Sequence, residues 1–193
     1  YGLIHSLKQL DAGRWTWIIA SGFLTLQVTD STFMTQLVGV AFFSSMLLGG
    51  VMSGIVADAF DRRLVLVAGH AFSIVVAATV VAIVVSEVVE GWHIVVLSML
   101  FGIPHTLDMA ARRTFALDLV GREGLPYANA LESLSMTAAG MVGPFIAGAL
   151  IAVAPLGKAD AAAPYIFITA IYLVAFVVLL RIRSMPTHAR PPL

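Results

Sequence analysis

His105, Asp108 and Arg112 follow one another at spacings of three and four residues. On an α-helix those spacings place all three on one face. Asp108 and Arg112 form an i,i+4 pair, and such a pair lowers the cost of burying either charge. His105, one turn away, has an imidazole that changes charge near neutral pH. An imidazole and a carboxylate on one face can pass a proton or hold a polar solute. Inside a membrane such groups are expensive and face a bundle interior or a water-filled path. The competing reading is structural: Asp108–Arg112 as an interfacial pair, with His105 satisfied in a core. Glu132 is a further carboxyl near the start of a later apolar run, where it is expected to be protonated or paired.

A second constellation is the hairpin Asp58 to Arg63. The glycine-rich run that includes Gly49, Gly50 and Gly54 leads into Asp58, and the chain restarts behind Arg62 and Arg63. A carboxylate at a helix C-terminus opposes the helix dipole and needs a cationic or N–H partner. Asp61 stands where it can cap the next helix. The hairpin reads either as a gating element or as a basic stop at the membrane surface.

A third group is Gly140, Gly143, Pro144 and Gly148. Closely spaced glycines allow close helix approach, and Pro144 removes a donor and should kink its helix. Lys8, Asp11 and Arg14 can line a cavity or form a cytoplasmic entry segment, and the entry segment is the preferred reading.

Enzyme signatures are absent. The sequence holds no glycine-rich Lys-Ser/Thr phosphate loop, no His-Glu-x-x-His pair and no Gly-x-Ser-x-Gly elbow. It has no cysteine and zero formal net charge, so thiolate metal sites are excluded and nucleic acid is not an expected partner. No cofactor, metal or enzymatic activity is expected.

The elements that must position these residues follow from composition. Of 193 residues, 60% are hydrophobic and 11% charged, and the mean hydropathy is +0.96. Soluble domains carry about 25% charged residues, so the expected solvent is the bilayer. The pattern of charge-free runs predicts an all-α membrane protein with six transmembrane helices, at about 2–28, 33–57, 64–86, 92–111, 126–154 and 162–181. Together they form one bundle, 1–183, and 184–193 reads as the start of a linker. The first span is the irregular one, because only Trp15–Thr29 is free of charge. The chain starts at Tyr1, which reads as a fragment.

Charge asymmetry orients the bundle. Segments 58–63, 112–125 and 181–193 hold eight arginines, whereas the opposite connections hold one basic residue, Lys158. The positive-inside rule then puts both ends of the chain on the cytoplasmic side.

The residues also carry a resemblance. Gly54, Asp58, Arg62 and Arg63 match the signature loop between helices 2 and 3 of the major facilitator superfamily, and Ala59 and Asp61 depart from it. The runs Leu107–Arg113, Asp118–Glu123 and Ala128–Ala130 resemble the enterobactin-exporter-like efflux branch, with Ala110 in place of a proline. The run Gly140–Gly148 resembles the glycine-proline motif of antiporters in that superfamily. The likeness covers roughly residues 13–182. It implies the N-terminal half of a twelve-helix transporter, built as two inverted three-helix repeats, in a plasma (inner) membrane. It further implies a C-terminal six-helix half as partner, with the Asp58–Arg63 loop latching the halves. The activity implied is proton-coupled efflux of small organic compounds, siderophore- or drug-like, by alternating access. The rival from another class is a non-transporting six-span scaffold.

The topology has a direct check. In this cysteine-free chain, single cysteines at Ala59 and Ala159 should react with an impermeant thiol reagent from opposite sides of the membrane. Labelling from the same side contradicts six spans.

Overall fold

The computed structural model describes the backbone of residues 2–59, 62–153 and 161–181, and the side chains of 12–47, 49–50, 64–107, 121, 123–152 and 161–180. These residues are helical with short connections: α1 (Gly2–Thr29), α2 (Thr32–Ala59), α3 (Arg62–Val85), α4 (Gly91–Val153) and α5 (Ala163–Arg181). Among the described residues Leu64–Val85, Glu123–Ala152 and Ala163–Leu180 are long and apolar enough to cross a membrane, and Thr32–Leu47 and Gly91–Leu107 are shorter apolar helices. The chain is an all-helical membrane bundle.

Local chemistry sets the helix ends. Asp30 takes φ 48°, a left-handed conformation that Asp tolerates. The Ser31 hydroxyl then accepts the Met34 N–H at 3.3 Å and caps α2. At the end of α3, Val88 N–H donates to Ile83 C=O and Glu87 N–H to Val84 C=O, which satisfies carbonyls left open by the last turn.

α4 is two helices joined at Gly121, where φ 66° and ψ −178° interrupt the helical backbone. That region is essentially confined to glycine. The sequence places a connection at 112–125. The backbone instead remains helical up to Gly121 and resumes directly after it. The two arms, 91–120 and 122–153, are separate helices of the bundle.

Lipid gives apolar helices no hydrophobic reason to associate, so packing and hydrogen bonds must hold them. The core does this with aromatic rings. Trp17 of α1 stacks on Phe101 of α4, with centroids 4.0 Å apart, and meets Tyr165 of α5 edge-on at 5.3 Å. Phe101 meets Tyr172 of α5 at 5.4 Å. Such pairs contribute about 0.5–1.5 kcal/mol each beyond their burial. The polar edges of these rings are satisfied: Trp17 Nε1–H donates to Ser98 at 3.2 Å, and Tyr165 O–H to Ser21 at 3.2 Å. Val40, Phe43, Leu47, Val75, Leu134 and Phe145 point outward.

Small residues permit two close crossings. Gly102 of the first α4 arm lies against Ser45 and the Phe42 carbonyl of α2. Gly143 of the second arm lies against α1, where a Cβ would sit 2.5 Å from Trp15 Cβ and 2.8 Å from the Ala12 carbonyl oxygen. Thr16 of α1 seals this crossing, with its hydroxyl 3.1 Å from the Gly143 carbonyl oxygen.

The glycines are therefore not equivalent. Gly143→Ala should destabilise the bundle by about 1–3 kcal/mol through overpacking. Gly148→Ala, which meets nothing within 4 Å, should stay within about 0.5 kcal/mol of the parent. Thermal unfolding in one detergent compares them, and equal effects would contradict the packing of the second arm on α1.

Candidate functional site

Arg14 lies in the bundle interior, 6% exposed. It belongs to α1, whose next helical positions on the same side, Trp17 and Ser21, are core residues. Its guanidinium reaches across to α4 and donates to the imidazole of His105, with Nε2 the nearer ring nitrogen and Nδ1 3.4 Å away. The Arg14 Cζ also lies 5.5 Å from the Trp15 ring centroid, within cation–π range. The structure thus resolves the two readings of Arg14 in favour of the interior. The side chains of Lys8 and Asp11 lie outside the described residues.

A guanidinium is permanently charged and only donates. The ring nitrogen facing it must therefore offer a lone pair, and His105 is neutral at that nitrogen while the contact lasts.

The same layer continues into two further helices. Gly13, beside Arg14, lies on the Tyr172 ring of α5, where a Cβ would be 3.1 Å from the ring edge. Tyr172 faces His70 of α3, with ring centroids 6.1 Å apart. His70 is 7% exposed, and its Nδ1 lies 2.7 Å from the Leu66 carbonyl oxygen. Gly69, next to His70, meets Pro104, next to His105.

Helical rise puts these residues at one depth. Arg14, His70 and His105 lie fourteen or fifteen residues from Thr29, Val85 and Gly91, about 21–23 Å along their helices. Gly91 touches Thr29, so α1 and α4 are measured from a shared end. An Arg, two His and a Tyr thus meet on four helices well inside the bundle.

Of the residues singled out by sequence, His105 joins this layer. Asp108 and Arg112 follow it on the first α4 arm, with side chains outside the described residues. Glu132 is half-buried on the second arm, where Gly140 and Gly143 pack on Trp15, Pro144 is half-buried and Gly148 is exposed. Gly54 and Asp58 belong to the last turns of α2, and Arg62 and Arg63 open α3. Their side chains, and Asp61 altogether, lie outside the described residues, as do Lys158 and the 184–193 tail. Sequence reasoning passed over His70 and Tyr172. The signal was available: His70 interrupts an apolar run that a search for formal charges treats as unbroken.

A family model, described as transmembrane secretion effector, matches residues 6–192. The chain belongs to that family, within the major facilitator superfamily. No curated protein matches it at a significant level. Ionisable groups at depth in a membrane bundle are rare and costly.

The Arg14–His105 contact is testable as a pair. Hydrogen bonds to charged groups contribute about 1.5–3 kcal/mol. Arg14→Gln and His105→Gln should each destabilise the bundle, and the double variant should lose less than their sum by an amount in that range. Additive losses would mean that the two side chains do not interact.

Proposed function

We propose that this chain forms the N-terminal six-helix half of a proton-coupled exporter of small organic compounds, with the Arg14–His105 layer as the place where solute and proton are handled. The observation that carries the reading is a permanently charged guanidinium, buried among apolar helices and bonded to a neutral imidazole. A purely structural bundle gains little from that arrangement, since well-packed apolar residues usually do as well as buried charge. In a transporter the same arrangement is a contact that chemistry can break. A proton on the facing nitrogen of His105 would turn acceptor into donor and set two cations against each other. Acidification therefore opposes the Arg14–His105 contact and frees α1 from α4 at that depth.

Asp108, one turn beyond His105, and Arg112 extend the pathway towards the Arg62–Arg63 end, and Glu132 borders it from the second α4 arm. In this reading the Asp58–Arg63 hairpin latches two halves during alternating access. The outward face of α2, with Val40, Phe43 and Leu47 exposed around Gly39, is offered to the C-terminal six-helix half. The compounds expected are siderophore-like or drug-like, by the resemblance of the Leu107–Ala130 segment. The membrane expected is the plasma (inner) membrane, with the Arg62–Arg63 loop cytoplasmic.

The test uses the intact transporter in vesicles that hold a pH-sensitive dye and carry an imposed proton gradient. Catecholates, hydroxamates and organic cations are added in turn. Compound-dependent proton movement in one of these classes is the expected result, and His105→Gln should weaken it. Compound movement without proton movement contradicts coupling. Neither movement contradicts the exporter reading for these classes.

A further inference from the structure

A buried histidine, His70, and a half-buried one, His105, share the interior layer, and their hydrogen bonds suit them to opposite tasks. His105 receives the Arg14 guanidinium on its ring, so it cannot gain a proton on the facing nitrogen without losing that contact. His70 is held the other way. Leu66 C=O can only accept, so the Nδ1 at 2.7 Å carries the hydrogen and donates it. In the neutral ring this leaves the lone pair on Nε2. Among the described residues nothing donates to Nε2.

We propose that His70 is a proton-binding site of this protein, taking up a proton at Nε2 while its Nδ1–H stays bonded to Leu66 C=O. The step is balanced: one proton leaves water, one N–H bond forms, and the ring changes from neutral to a single positive charge. No existing hydrogen bond is broken, and the one to Leu66 becomes charge-assisted and stronger.

One aromatic ring stands beside that charge. The Tyr172 ring of α5 lies 6.1 Å from the His70 centroid, tilted by 47°, close to the range in which an aromatic face attracts a cation. The titratable or charged described groups around His70 are that Tyr172 on α5, His105 beside Pro104 on α4, and Arg14 beside Gly13 on α1. α2 touches α3 only slightly. Arg14 is the opposing influence, because it is a second cation in the layer. Its guanidinium bonds to His105, and the Tyr172 ring both touches Gly13 and faces His70.

The position also links His70 to the Arg14–His105 contact. Gly69 meets Pro104, where a Cβ would be 3.4 Å away. Tyr172 meets Phe101, which stacks on Trp17. A charge change at His70 is thus felt by α4 one residue from His105, and by the aromatic contact that ties α4 to α1. This rests on the proposed proton coupling and assigns the proton to a residue.

The test is nitrogen NMR of the intact transporter with ¹⁵N-labelled histidine in bilayers, between about pH 5 and pH 8, the range in which histidine charge normally changes. The His70 ring is assigned without substitution, through its hydrogen bond to a ¹³C-labelled Leu66 carbonyl. The expected result is a His70 ring protonated at Nδ1 alone at the alkaline end, and at both nitrogens at the acid end, with His105 gaining a proton only after His70 on acidification. A His70 ring that stays neutral throughout overturns the inference, whatever His105 does. His70 and His105 gaining protons together overturns the division of tasks. The NMR readout does not depend on transport, and the vesicle readout does not depend on which residue carries the proton. Proton flux without His70 titration therefore removes only this inference, and His70 titration without flux removes only the coupled-export reading.

Discussion

Arg14 cannot give up its charge, and that constraint organises the bundle around it. Lysine or histidine can enter a low-dielectric interior by shedding a proton, whereas a guanidinium stays cationic at any physiological pH. Burying it requires acceptors and polarisable faces brought from other helices. The bundle supplies the His105 ring from α4 and the Trp15 ring from α1 itself. To deliver His105, α4 must pass close to α1 at one depth. The stacked Trp17–Phe101 pair, one turn from Arg14 and one turn from His105, fixes that approach.

The helix crossings follow from the same need. Side chains of ordinary size would hold helix axes 8–10 Å apart. Gly143 lets the second α4 arm settle onto α1 beside Ala12 and Trp15, and Gly102 lets the first arm settle onto α2. The Gly121 break allows one continuous run of helix to serve both contacts. Association in lipid depends on this fit, because the solvent outside is as apolar as the exposed Val40, Phe43 and Phe145 side chains.

Much of the fold was legible from charge-free runs and turn residues. The α2–α3 boundary fell at the Asp58–Arg63 hairpin, and the apolar runs became helices. The site was legible in part. His105 stood out because it shares a face with Asp108 and Arg112. Arg14 reads from sequence as either cavity-lining or part of an entry segment with Lys8 and Asp11, because one sequence does not reveal a partner ninety-one residues away. His70 was passed over because a neutral imidazole is invisible to a count of formal charge. Gly140, Gly143 and Gly148 looked alike by spacing. What separates them is the neighbour across the crossing, which only the assembled bundle supplies.

The central claim is that a buried guanidinium on α1 is bonded to an imidazole on α4. An experimental map of the intact transporter in a bilayer, at side-chain resolution, tests it most directly. The account predicts the Arg14 guanidinium inside the bundle, within hydrogen-bond reach of His105 and level with His70. A guanidinium at the membrane surface among lipid headgroups, with His105 packed elsewhere, would contradict it.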